Sequence, residues 1–144
     1  MLDPRRAAAI AEAETWLGTR YHHMGRVKGA GVDCLMLLAE VYAAAGVIDP
    51  VPTGPGGIPH YPPDFMLHQS AELYLEGLLK HAREVAAPGP GDVAIFKWGR
   101  VFAHAGIVTL WPMMIHAFIG HGVSRADGTQ GRLAGRPVKF FSPF

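Results

Sequence analysis

The chain has 144 residues and a formal charge of +1, from 13 Lys and Arg against 12 Asp and Glu. Near-neutrality without a basic cluster speaks against a nucleic-acid surface, and 49% apolar against 17% charged residues excludes a disordered chain. A single cysteine rules out an intrachain disulfide, and no run of about 18 apolar residues reads as a membrane-spanning helix.

The length predicts one domain over residues 1–144, enough to bury roughly 70% of the surface its unfolded chain exposes. Asp3 and Pro4 form a helix-start signal, cap then first-turn proline. The pattern Ile10, Ala13, Trp16, Leu17 predicts a short amphipathic helix over 7–17, stopped by Gly18. Residues 18–32 carry four glycines and are read as a loop. Asp33 opens a second helix, apolar nearly all round and therefore buried, which Gly46 stops. Six prolines and three glycines within 49–63 predict a long irregular connection. A third helix is expected from Asp64 to about Lys80, with Phe65, Leu67, Leu73, Leu75, Leu78 and Leu79 as its apolar positions. After the Pro88-Gly-Pro-Gly91 break the grammar is that of strands, at 92–97, 103–110, 112–118 and 138–141. Helices first and strands afterwards predict an α+β domain, its antiparallel sheet packed on the N-terminal helices.

Cys34 follows Asp33 at the first turn of the second helix. Unpaired N–H groups and the helix dipole favour a negative charge there, so the expectation is a thiol pKa below the usual value of about 8.5. The competing reading is a small apolar residue on an apolar helix. His104 and His116 each sit inside an apolar strand, with a turn signal between them at 110–112. Pairing 104 with 116 pairs 108 with 112 and leaves a three-residue turn, which would put the two imidazoles side by side on one face. One ring could then take the thiol proton while the second fixes its tautomer. Two alternatives stand beside this reading. The histidines could be satisfied core residues, or the three groups could be ligands of a catalytic Zn²⁺. Close ligand spacing of the CxxC or HExxH kind is lacking, so no metal and no cofactor is expected.

The order of these residues, and the segments that carry them, resemble the NlpC/P60 family of papain-like cell-wall peptidases, closest to the branch of tailed phages and gene transfer agents. The segments are Trp16-Leu-Gly-Thr-Arg-Tyr21, Gly25, Gly31-Val-Asp-Cys34 with the helix that follows, Pro90-Gly-Asp-Val-Ala-Ile-Phe96, His104-Ala-Gly-Ile-Val108 and Met114-Ile-His-Ala117. The resemblance implies a papain-like fold, with Cys34 as nucleophile, His104 as base and His116 as the group orienting it. It also implies site support from Tyr21, beside the nucleophile, and from Asp33, before it, for which a helix-capping role is an equal reading. Asp92 is read as a turn residue entering the first strand. His22, His23, His60, His68, His81 and His121 match no catalytic position, although His22 and His23 could line the cleft. Two departures stand out: Leu35 and Met36 occupy positions where the family often has a small residue and then glycine, and its paired glycines after the tyrosine are reduced to Gly25.

The implied reaction is hydrolysis of peptidoglycan stem peptides, at a D-γ-glutamyl to diamino-acid bond, with tail or baseplate proteins of a phage-like particle as partners. The N-terminus does not read as a secretory signal, because Glu12 and Glu14 interrupt its apolar stretch. This fits synthesis in the cytoplasm and delivery on a virion tail to a cell wall, without a membrane partner; a housekeeping hydrolase is the plainer alternative. A different class of function is a tail-tip assembly module with a vestigial hydrolase site. Acyl transfer by a permuted relative is disfavoured, because here the cysteine precedes the histidines.

Overall fold

The computed structural model of the protein describes residues 2–64 and 70–144. Helix α1 spans Pro4–Thr15, capped by the Asp3 side chain, which accepts the Arg5 N–H at 2.8 Å. Gly18 then turns the chain at φ +88°, and its N–H donates to Val123 O. The segment read as a loop contains a two-residue hairpin, β1 (Arg26–Val27) with β2 (Gly31–Val32), too short to leave a periodic trace. Helix α2 spans Cys34–Ala44 and buries every residue from Cys34 to Ala39, then Val41 and Tyr42. A helix apolar nearly all round, with Glu40 its one charged residue, finds its minimum inside the protein, where each buried Leu or Val contributes about 1.5–3 kcal/mol.

Helix α3 covers Ser70–Leu78, a shorter element than the sequence predicts. Asp64 lies in a turn, and the expected apolar positions Phe65 and Leu67 fall outside the described residues. Leu75, Leu78 and Leu79 join the core. Among the described residues no helix is long and apolar enough to cross a membrane.

Eight strands are described: β1 and β2, then β3 (Arg83–Val85), β4 (Val93–Trp98), β5 (Val101–Leu110), β6 (Met113–Phe118), β7 (Gly122–Asp127) and β8 (Val138–Ser142). The last six form an antiparallel sheet in the order β3-β8-β4-β5-β6-β7. The edge strands β3 and β7 escape sequence reading for a physical reason. Each buries one side chain at most, so neither shows apolar alternation. Central strands β4 to β6 are buried on both faces, hence their near-continuous apolar runs. Val93, Ile95, Ala103, Ala105, Ile107, Ile115 and Ala117 pack with α1 and α2 in one core. Ala94, Phe96, Trp98, Val108, Met114 and Phe118 form a second core with Leu133 on the other face.

The hairpin register differs from the expectation. Ile107 pairs with Ile115, Val108 with Met114 and Leu110 with Met113, so His116 lies across from Gly106 and not from His104. A bulge between Val108 and Leu110 inserts a residue into β5, and the turn shrinks to Trp111-Pro112. The displacement is two residues along the strand, so both histidines keep the same face.

Arg6 of α1 ties the helix layer to the sheet. Its guanidinium donates to Asp92 Oδ1 and Pro90 O, both at 2.9 Å, and to Ser142 Oγ at 3.2 Å. Asp92 is buried and also accepts the Gly89 N–H, which makes it the turn residue that the sequence suggests. Removing the cation leaves this carboxylate buried without its partner. Arg6→Ala is therefore expected to lose about 3 kcal/mol in urea unfolding. Asp92→Asn in the same chain should restore part of the loss; a double variant as unstable as the sum of the singles would contradict the pairing.

Candidate active site

The site begins with a buried carboxylate. Asp33 is fully enclosed and spends both oxygens on structure. Oδ1 accepts the Met36 N–H at 2.9 Å, capping α2, while Oδ2 accepts the Met24 N–H at 2.8 Å and the Tyr61 hydroxyl at 2.5 Å. The capping role expected of Asp33 is therefore present.

Cys34 follows at the first helical position, with no exposed surface. The backbone N–H groups of Ala105, Leu35 and Cys34 itself face its sulfur. The sulfur thus meets β5 one residue past His104. Among the described residues no hydrogen bond joins it to an imidazole, and no three His, Cys, Asp or Glu side chains gather as a metal-binding group.

The imidazoles do find each other. His104 Nε2 and His116 Nδ1 are 2.8 Å apart, both rings are buried, and their centroids are 5.0 Å apart at 72°. Gly106, across from His116, keeps this face open: a Cβ there would stand 2.6 Å from Met114 Sδ and 3.4 Å from His116 Cβ, so the Met114 thioether fills the space a side chain would take. Phe96, Trp98 and Phe118 pack around His104 with centroids 5.2–6.2 Å away, and Phe118 stacks on His116 at 5.3 Å. The guanidinium of Arg136 lies 3.6 Å over the Trp98 ring. The rings therefore belong to the face of the second core, while α2 covers the opposite face, and the sulfur and the imidazoles approach through the β5 backbone.

The electrostatics overturn one expectation. Burial, reinforced by the Asp33 charge, pushes the Cys34 thiol up to about 12, against the lowering expected from the helix terminus. Backbone N–H groups pull the other way, but desolvation of a fully enclosed thiolate outweighs them. Burial, then His116 and Arg136, holds His104 well below its ordinary value of 6.5, and burial followed by His121 pushes His116 down to about 4. At neutral pH the site is a thiol beside two neutral imidazoles, not a thiolate–imidazolium pair.

Tyr21 is half-buried, and its hydroxyl is enclosed with no hydrogen-bond partner among the described residues. Burial, and then the charges of Cys34 and Asp33, raise its pKa. Sequence reading missed Tyr61, whose pKa is raised by burial, by Asp33 and by Cys34 among others. It sits in the proline-rich segment, where no periodicity marks a buried side chain. His23 is attached to it, with Nε2 2.8 Å from Tyr61 O, so that histidine lies near the site while His22 is exposed. His68 lies outside the described residues. A cavity of about 230 Å³ between α3 and the sheet, lined by Leu75, Ile95, Phe102 and Phe141 among others, includes neither Cys34 nor the histidine pair.

No protein-family model matches the chain, and no curated protein matches it by sequence. Solved structures do match in shape. NlpC1 from Trichomonas vaginalis aligns with a TM-score of 0.67 and 18% identity over 98% of this chain and 44% of its own length. The chain thus spans less than half of that protein. The NlpC/p60 domain of the peptidoglycan hydrolase SagA aligns at 0.60 with 19% identity, over 93% of this chain and 96% of that domain. RipD from Mycobacterium tuberculosis, described as a non-catalytic NlpC/p60 domain protein adapted to peptidoglycan binding, aligns at 0.58 with 15% identity over 98% of both chains. At these identities the likeness establishes architecture: the chain has the α+β fold of NlpC/P60 domains, N-terminal helices packed on a multi-stranded antiparallel sheet, a fold that serves catalytic and non-catalytic proteins alike.

Proposed function

We propose that the chain is a thiol amide hydrolase of the NlpC/P60 kind that cleaves peptidoglycan stem peptides, at a D-γ-glutamyl to diamino-acid bond, and that it works as part of a phage-like tail. The observation that carries the chemistry is the 2.8 Å contact between His104 and His116, next to a strand N–H that faces the sulfur of Cys34. With Nε2–H of His104 donating to His116 Nδ1, the remaining Nδ1 lone pair of His104 is the base. The sulfur and the rings lie on opposite faces of β5 in the form described above, so this step requires a rearrangement that brings the thiol to that Nδ1, which then takes the Cys34 proton as the sulfur attacks the amide carbonyl. The Cys34 N–H and the unpartnered Tyr21 hydroxyl then meet the oxyanion, at roughly 3–4 kcal/mol per well-placed donor. Protonated His104 returns its proton to the leaving amine, and water hydrolyses the thioester. A neutral thiol and a neutral imidazole make this general-base catalysis, since no ion pair stands ready.

A second reading has its own support. The thiol is fully enclosed, its pKa is raised to about 12, and it forms no hydrogen bond with either imidazole among the described residues. Those facts fit a tail-tip assembly or wall-binding module with a vestigial site better than an open, working one, and the likeness to the non-catalytic RipD agrees with them. Under the first reading the present geometry is a closed resting form.

Incubation with purified muropeptides separates the two. The hydrolase reading expects release of the diamino-acid fragment by the wild type and none by Cys34→Ala; if both are equally inert while still retaining peptide, the module reading stands. Tyr21→Phe is expected to lower kcat by about 10²-fold, the scale for one oxyanion donor, with KM little changed. The pH profile follows from the depressed imidazoles. The base is lost only when His104 is protonated, and its pKa lies well below 6.5, so kcat/KM should stay level as pH falls through 6.5 and decline only under more acidic conditions. An acidic limb centred at 6.5 would contradict a buried base.

A further inference from the structure

The segment between β7 and β8 carries two arginines to one aromatic ring. Gly131 and Gly135 adopt φ +59° and +71°, so the stretch Gly131-Arg-Leu-Ala-Gly-Arg136 turns tightly at both glycines. Leu133, between the arginines, is buried in the second core and anchors the stretch to the sheet. The Arg136 guanidinium lies 3.6 Å from the centre of the Trp98 ring, and that of Arg132 stands 5.5 Å from the same ring and 5.4 Å from Phe118. Two carbonyls fix Arg136: its Nε donates to Arg132 O at 2.6 Å and its Nη1 to Lys97 O at 3.1 Å. Its Nη2 and the whole guanidinium of Arg132 have no hydrogen-bond partner among the described residues. Arg5, Arg6, Arg26 and Arg125 each hold a carboxylate. Arg132 and Arg136 hold none among the described residues, although two cations beside one ring repel each other. The neighbouring imidazole offers no counter-charge. His104 packs on Trp98 with centroids 5.7 Å apart, and burial, then His116, then the Arg136 charge hold it below its ordinary pKa. Arg132 is exposed and Arg136 partly so, and together they present uncommitted N–H donors and unbalanced positive charge to solvent.

We propose that Arg132 and Arg136, seated on Trp98 and Phe118, form a binding site for a carboxylate of an acidic peptide. A guanidinium fork matches a carboxylate in plane through parallel N–H donors, and a second cation beside it adds charge without needing the same geometry. The carbonyls that hold Arg136 set its orientation in advance, so little side-chain entropy is lost when an anion arrives. The inference rests on the peptidoglycan reading, which the hydrolase and the wall-binding module share, and names the chemical group this face takes. A glutamate joined through its γ-carboxyl keeps its α-carboxylate free, and that is the group the two arginines hold.

The test reads binding and not turnover, so its failure is distinguishable from failure of the hydrolase reading. The folded chain is titrated at pH 7 with alanyl-D-glutamate whose γ-carboxyl is capped as a methylamide, and the indole N–H signal of Trp98 is followed by NMR. The same compound with its α-carboxyl amidated is one control, and inorganic phosphate is the other. The free acid is expected to shift the Trp98 signal and to bind at least about fivefold more tightly than either control. Arg132→Gln removes a guanidinium that makes no hydrogen bond among the described residues, so the fold is expected to hold. It should weaken the acid by at least about fivefold and leave the amide unaffected. Arg136→Gln should weaken the acid at least as much. Equal affinity for acid and amide, unchanged affinity for the acid in Arg132→Gln, or phosphate binding as tightly as the acid would overturn the proposal. Muropeptide cleavage by a chain that gives any of those results would leave the hydrolase reading standing and remove this site alone.

Discussion

The carboxylate of Asp33 is the constraint on which the site depends. A carboxylate enclosed by protein is tolerable only if it is hydrogen-bonded, and here three donors reach its two oxygens: the Met36 N–H, the Met24 N–H and the Tyr61 hydroxyl. Each donor comes from a different part of the chain. One carboxylate therefore starts the central helix, anchors the loop before it and fastens the proline-rich segment after it. The consequence for chemistry is direct. The same charge that organises the start of α2 stands next to Cys34, and it adds to burial in keeping the thiol protonated.

The histidine pair is built by a different device, the pleat of the sheet. Alternation along β5 and β6 gives both rings one face, where the absence of a side chain at Gly106 leaves room for Met114 beside them. Aromatic rings fill the rest of the space. Because the pair is enclosed, both imidazoles stay neutral, and a neutral ring is the form that accepts a proton. Thiol and base thus reach compatible states through the same cause, desolvation acting in opposite directions on an acid and on two bases.

Much of this was legible in the sequence. The cap at Asp33, the apolar helix after it and the four main strands follow from cap chemistry and periodicity. That His104 and His116 share a face follows from their even separation, although the register of the hairpin does not, because the bulge after Val108 leaves no mark in composition. The direction of the Cys34 pKa was misread, since a helix terminus is visible in sequence and complete burial is not. Tyr61 and His23 were not recognisable for the same kind of reason. Their importance comes from long-range tethers, Tyr61 to Asp33 and His23 to Tyr61, within segments that carry no periodic signal. The proposed bond and the proposed place in a phage-like tail rest on likeness in sequence motifs, while the solved structures support the fold alone.

The central claim concerns charge: at neutral pH the site holds a thiol and two uncharged imidazoles linked by one shared hydrogen. Nitrogen-15 NMR of the histidine side chains at pH 7 measures this directly. The account predicts neutral-ring signals for His104 and His116, one as donor and the other as acceptor, unaltered when Cys34 is replaced by alanine. An imidazolium signal from His104 at that pH, lost in Cys34→Ala, would mean a thiolate ion pair and would contradict it.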